Sequence, residues 1–175
     1  IVKCNTALAE TLINLKKKQM NKFIAILGTI LLSFILTVST FTLGTFSPDW
    51  TQLFLIYWIL ATPMNIGLFS SWTIGLLVDV IMGSTLGINA LMYTIVSYLI
   101  SKIHHIVRYI TVFQQSIVIF FILIIKVTLI LWIEAMLSIN NQGYSIYWAS
   151  FTSALFWPFV FYFLRMIRRK YNITE

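Results

Sequence analysis

Six apolar runs, separated by short polar breaks, occupy most of this chain and leave little sequence for any other kind of structure. They cover residues 23–46, 51–62, 67–82, 86–101, 112–138 and 146–166. About 20 apolar residues suffice for a helix to cross the hydrocarbon core of a bilayer. Only 10% of the residues are charged, against about a quarter in soluble domains. The sequence therefore predicts an all-α polytopic membrane helix bundle with six transmembrane helices.

Two features depart from a set of straight, full-length helices. The second, third and fourth runs have only about 12 to 16 residues each, so a re-entrant pair of helices is the alternative for this part of the chain. Trp157 and Pro158 interrupt the sixth run. Proline removes a backbone donor and clashes with the preceding turn, so we expect a kink there.

The basic residues lie on one side of the predicted bundle. Eleven of the 12 Lys and Arg residues precede the first run, separate the fourth from the fifth, or lie at or beyond the end of the sixth. The exception is Lys126, inside the fifth run. Lys and Arg collect on the cytoplasmic side of membrane proteins, so both termini are predicted to be cytoplasmic in a bacterial-type inner membrane. The net charge of +7 is then a topology signal, and no nucleic-acid role is expected.

Residues 1–19 differ from the rest of the chain. They are polar, lack an initiating methionine and end in three lysines. We expect a cytoplasmic leader that is not native, with Met20 as the natural start, and a single six-helix transmembrane domain over residues 20–175. The alternative is an amphipathic helix on the membrane surface, with Leu8, Leu12 and Leu15 on its apolar stripe.

One aspartate stands among glycines in the segment GLLVDVIMGSTLG. Gly75, Asp79, Gly83 and Gly87 recur at every fourth position, which on a helix forms one narrow stripe that a neighbouring backbone can approach closely. If Ser84 or Thr85 instead caps the start of the fourth helix, Gly83 becomes the turn. Asp79 or Ser84 would then help to satisfy the backbone groups that the turn leaves free, and an Asp79→Asn change is expected to be mild.

Lys126 and Glu134 are the other ionisable residues within the predicted spans. They are eight residues apart on the fifth helix and cannot touch each other, although either could meet Asp79. A Lys126–Asp79 ion pair is therefore an alternative to hydrogen bonding within the turn. Intramembrane charges are costly and usually functional, so both residues are candidate partner or structural sites.

No catalytic constellation accompanies these residues. The sequence has no activated nucleophile, no glycine-rich phosphate loop and no set of metal ligands. His104 and His105 are adjacent, and we expect their side chains to diverge in a solvated basic loop. No enzyme activity, cofactor or metal is predicted.

Several local motifs together resemble the MreD family of rod shape-determining proteins. They are Pro48-Asp49-Trp50, Tyr57–Ala61 with Pro63, Gly75–Gly87 with Ala90-Leu91, Gln114-Gln115, Trp132 with Glu134, and Trp157-Pro158. The resemblance covers about residues 20–172 and leaves residues 1–19 outside. It departs from the expected pattern at Met64-Asn65-Ile66, a predicted cytoplasmic turn without a basic residue.

The resemblance implies a non-enzymatic inner-membrane component of the cell-elongation machinery. Such proteins bind MreC and work with MreB, the glycosyltransferase RodA and the elongation transpeptidase in lateral peptidoglycan synthesis. The family's bundle also resembles the substrate-binding subunit of energy-coupling-factor transporters. A small-molecule, vitamin-like binding subunit is therefore the alternative, although the first helix lacks the Ala-x-x-x-Ala pair of those subunits.

Overall fold

The computed structural model describes residues 2–40, 47–62, 67–137 and 146–171, with side chains from residue 20 onward except residue 21. Every regular element in these ranges is a helix. The six helices are α1 Val2–Thr40, α2 Trp50–Ala61, α3 Leu68–Met82, α4 Ile88–Tyr109, α5 Val112–Met136 and α6 Tyr147–Lys170. The all-α prediction is confirmed.

Some helices end at other residues than the predicted apolar runs do, because polar residues continue the helix. The fourth run was expected to end at Ser101, but α4 continues to Tyr109. Hydropathy detects the apolar part of a helix, whereas backbone hydrogen bonds continue into its polar turns. Similarly, α1 starts at Val2, so residues 2–19 extend the first helix. The predicted ends at Phe46 and Ser138 lie outside the described residues.

Four described segments are long and apolar enough to cross a membrane. They are Lys22–Thr40 of α1 and the whole of α4, α5 and α6. The helices α2 and α3 are apolar but shorter, with 12 and 15 residues. The chain is thus an all-helical bundle suited to a membrane, in which two of the six helices fall short of the usual length.

The helix α2 is the centre of the bundle. All 12 of its residues are buried, because α1, α4 and α6 pack around it. The Trp58 indole donates to Thr29 Oγ1 at 2.9 Å, and the Thr37 and Thr51 hydroxyls are 2.9 Å apart. These two contacts show that α1 and α2 run antiparallel.

Gly75 permits a close contact between the two helices of the α3–α4 hairpin. A Cβ atom on Gly75 would lie 2.5 Å from the Ala90 Cα, so any side chain would force the helices apart. Gly83 and Gly87 serve a different purpose, since nothing lies within 4 Å of their Cβ positions. Their φ angles of 62° and 98° are ones that glycine adopts easily. Of the predicted glycine stripe, only Gly75 makes a close approach.

Gln115 joins the α4–α5 hairpin to α6. Its side-chain amide donates to the Val107 carbonyl at 2.9 Å and accepts from the buried Trp157 indole at 3.4 Å. The helix α6 continues through Pro158, and the kink expected at this proline stays a prediction.

The helix α2 begins at about half the depth of the bundle. We call the end that carries residues 83–87 the turn end, and the end that carries the α4–α5 connection the opposite end. Gly75 lies beside Ala90, and Tyr93 contacts Asp49. At 1.5 Å per residue, the Tyr93 Cα is therefore about 15 Å below the Met82 Cα, close to the midplane of a core about 30 Å thick, and Asp49 lies at the end of the Tyr93 side chain. From there α2 runs to the opposite end.

The glycine contact predicts the effect of adding a single methyl group. Gly75→Ala should destabilise the protein by about 1–3 kcal/mol, the usual cost of overpacking. Gly28→Ala is the matched control on α1, because nothing lies within 4 Å of its Cβ position, and it should leave stability unchanged or slightly higher. Thermal unfolding in detergent would measure both, and equal midpoints would contradict the close approach.

Candidate functional site

The Asp79 carboxylate caps the start of α4 from the preceding helix. Its Oδ2 accepts the backbone N–H groups of Gly87 at 2.9 Å and Ala90 at 3.3 Å. Its Oδ1 accepts the Ser84 hydroxyl at 2.8 Å and the Asn89 N–H at 3.2 Å. The N-cap residue of α4 is Gly87, which has no side chain to do this. Asp79 thus supplies the cap, and its negative charge also suits a helix N-terminus.

The same turn uses the backbone of Asp79. Its carbonyl accepts the N–H groups of Gly83 and Ser84, which end α3. Asp79 is only 1% exposed and Ala90 is fully buried, so the Ala90 N–H would have no water to replace the Asp79 carboxylate. These contacts are of the kind that the turn hypothesis expected, and they hold α3 and α4 in one rigid hairpin.

A second carboxylate, Asp49, caps α2 and pairs with Lys126. Asp49 Oδ2 forms an ion pair with the Lys126 ammonium. Its Oδ1 accepts the Tyr93 hydroxyl at 2.8 Å and the Gln52 N–H at 3.2 Å. Neither Asp79 nor Glu134 is the partner of Lys126, so the Lys126–Asp79 alternative was wrong.

The ion pair connects four helices. Asp49 precedes α2, Tyr93 is on α4 and Lys126 on α5, while the Asp49 N–H donates to Ser153 of α6 at 2.9 Å. The ammonium also lies 4.6 Å from the centre of the Tyr93 ring, a cation–π contact. The Lys126 side chain is 6% exposed and that of Asp49 26%. A charge this deep needs such partners to be tolerated.

Asp49, Tyr93 and Ser153 are the site residues that sequence reasoning missed. Asp49 lies 77 residues from Lys126 in the chain, and no local pattern joins them. The sequence did carry a signal for Asp49 as a helix cap, since Asp49 directly precedes an apolar helix and aspartate is a favoured N-cap.

Other candidates have less defined surroundings. Glu134 is partly buried, and its Oε2 is buried without a hydrogen-bond partner among the described residues. His104 and His105 lie in α4 instead of a loop, with ring centres 3.8 Å apart, so the expected divergence was wrong. Within the ranges that the structure describes, no three His, Cys, Asp or Glu side chains are grouped to hold a metal.

The geometry at Asp79 changes the expectation for its asparagine variant. All four contacts of the carboxylate are with donors, so an amide nitrogen must face at least one backbone N–H. Asp79→Asn should therefore cost about 1–3 kcal/mol and is not mild, and Asp79→Leu should cost more. Ser84→Ala is the control, since it removes only one of the four donors. Thermal midpoints would rank them, and an asparagine variant as stable as the parent would contradict this assignment.

The ion pair predicts coupling between two distant positions. Lys126→Met should destabilise by about 3–5 kcal/mol because it leaves a charge unpaired. Adding Asp49→Asn should recover at least about 1 kcal/mol of that loss, a coupling typical of residues in contact. Asp79→Asn with Lys126→Met is the control pair and should be additive. Coupling in the control pair but not in the Asp49 pair would contradict the observed partner.

Comparison with known proteins identifies the family. The model of the rod shape-determining protein MreD family matches residues 16–167. The chain is also 34% identical over 155 residues to the rod shape-determining protein MreD of Haemophilus influenzae, an alignment that covers 87% of this chain and 95% of that protein. No solved structure matches the chain. The family match spans all six described helices, from within α1 to within α6, and the chain belongs to the MreD family of rod shape-determining proteins.

Proposed function

We propose that this chain is a non-enzymatic component of the bacterial inner membrane that binds MreC in the cell-elongation complex. In this role it supports lateral peptidoglycan synthesis and rod shape, with RodA, the elongation transpeptidase and MreB as other members of the complex. The observation that carries the proposal is the family match over residues 16–167. The role requires neither a cofactor nor nucleic acid.

The two carboxylate clusters support a framework role. Asp79 joins α3 to α4 through the hydrogen bonds of one turn, and Asp49 joins α2 to α4, α5 and α6. Each uses its charge to position helices. A bundle fixed in this way can present a constant surface to a partner helix. Glu134, partly buried near the end of α5 with a carboxylate oxygen that has no partner among the described residues, is the candidate residue for a partner contact.

We also propose six membrane crossings with both termini in the cytoplasm. The distribution of Lys and Arg supports this orientation, and the antiparallel pairs α1–α2 and α3–α4 support alternating directions. The α3–α4 turn would then face the periplasm. The vitamin-binding alternative gains no support, since no solved structure matches.

Reporter fusions test the orientation. Alkaline phosphatase fused at Thr85, in the α3–α4 turn, should be active because the enzyme folds only outside the cytoplasm. A fusion at Asn141, outside the described residues, should also be active, and one after Arg169 should be inactive. Activity after Arg169 with none at Thr85 would reverse the orientation.

Co-purification with MreC tests the proposed partner. Tagged MreC should recover the full chain from membranes, and site-specific crosslinks should map the contact. Alanine changes at Glu134, His104 or His105 should lower rod-shape complementation only in proportion to the amount of chain recovered with MreC. If one of them abolished rod shape while folding and MreC recovery stayed intact, the non-enzymatic proposal would fail.

A further inference from the structure

The last four helices form an arc in which each helix packs against the next one in the chain. The pairs α3–α4, α4–α5 and α5–α6 are all in contact. The Gln115 amide donates to the Val107 carbonyl of α4 and accepts from the Trp157 indole of α6. The Thr128 hydroxyl of α5 lies 3.2 Å from the Tyr147 hydroxyl of α6. The α3–α6 arc therefore has polar contacts of its own that involve neither α1 nor α2.

The first two helices form a second unit, the α1–α2 pair. The Trp58 indole of α2 donates to Thr29 of α1, and the Thr51 hydroxyl of α2 meets the Thr37 hydroxyl of α1. The helix α1 packs mainly on α2 and makes a smaller contact with α3. The pair therefore meets the arc chiefly through α2, which packs against α4 and α6.

Asp49 makes three polar contacts between the α1–α2 pair and the α3–α6 arc. Its carboxylate forms the ion pair with Lys126 of α5 and accepts the Tyr93 hydroxyl of α4. Its backbone N–H donates to the Ser153 hydroxyl of α6. A single residue at the start of α2 thus binds three of the four helices of the arc.

The α2 side of this boundary is mainly apolar. Aromatic rings meet across it in the pairs Trp50–Phe156 and Tyr57–Phe161, whose ring centres are 5.2 and 5.7 Å apart. In a bilayer such a surface contributes packing but no hydrophobic driving force, because lipid tails are as apolar as the side chains. The contacts of Asp49 therefore carry a larger share of the attachment between the two units than they would in water.

We propose that the α1–α2 pair and the α3–α6 arc are two rigid units, and that the three contacts of Asp49 form a polar latch between them. With the latch made, α2 is buried on all sides and the bundle is fixed, as its framework role requires. When the latch breaks, the units part as bodies, a common form of conformational switching. Each unit keeps its own hydrogen bonds, and lipid tails cover the apolar surface that is freed. The proposal depends neither on the orientation of the bundle nor on MreC.

Distances between two spin labels test the latch in the full chain. One pair of labels joins the two units, at Leu31→Cys on α1 and Ile125→Cys on α5. The other pair lies within the arc, at Leu77→Cys on α3 and Ile125→Cys on α5. These three positions are exposed, at 55% for Leu31, 49% for Ile125 and 48% for Leu77. Double electron–electron resonance in lipid nanodiscs, in a Cys4→Ser background, would give the distance distribution of each pair.

Lys126→Met breaks the ion pair of the latch. It should make the distance distribution between the units at least about twice as broad, as a rigid-body motion requires, and leave the distribution within the arc unchanged. Ser153→Ala removes one neutral contact of the latch and keeps the ion pair, so it should broaden the same distribution by less. If Lys126→Met does not fold, Ser153→Ala decides the question alone.

Thr128→Val is the matched control for Ser153→Ala, because it also removes one hydroxyl contact but does so inside the arc. It should leave the distances between the units unchanged. Equal broadening of both label pairs in the latch variants would indicate general loosening and would overturn the proposal. So would an unchanged distance between the units in both latch variants, or the same broadening with Thr128→Val as with Ser153→Ala.

Discussion

The helix α2 begins inside the bundle and α4 begins at its turn end, and the free N–H groups at both starts must find acceptors. Both helices are capped by a carboxylate. Asp79 reaches the first N–H groups of α4 from the end of α3, and Asp49 accepts the N–H of Gln52 in α2. The remaining helices are arranged around these two capped starts.

The two carboxylates differ in how their charge is balanced. The four hydrogen bonds of Asp79 come from the turn and the α4 N-terminus, so the positive end of a helix faces the charge. Asp49 has Lys126 as its counter-ion and the Tyr93 hydroxyl as a donor. Local geometry therefore explains how the bundle tolerates the charge of Asp79. The charge of Asp49 is tolerated because helices distant in the chain pack beside it.

This difference also explains how much the sequence could predict. Asp79, Ser84 and the two turn glycines lie within nine residues, so helix periodicity and turn chemistry were enough to relate them. The partner of Lys126 is 77 residues away, and only the packing of α5 against α4 and of α4 against α2 brings the pair together. The end of α4 was missed for another reason, because its last turns carry Lys102, His105 and Arg108, which hydropathy assigns to a loop.

The helices of the bundle differ in length. The helices α5 and α6 are full-length apolar helices, whereas α2, in the centre, and α3 are shorter. The most direct test of this architecture is an electron cryo-microscopy map of the proposed complex with MreC in a lipid nanodisc. The account predicts contact between the Asp49 carboxylate and the Lys126 ammonium within about 5 Å of the bilayer midplane, a depth that follows from helix rise and core thickness. An Asp49 located among the outer head groups, with Lys126 paired elsewhere, would contradict it.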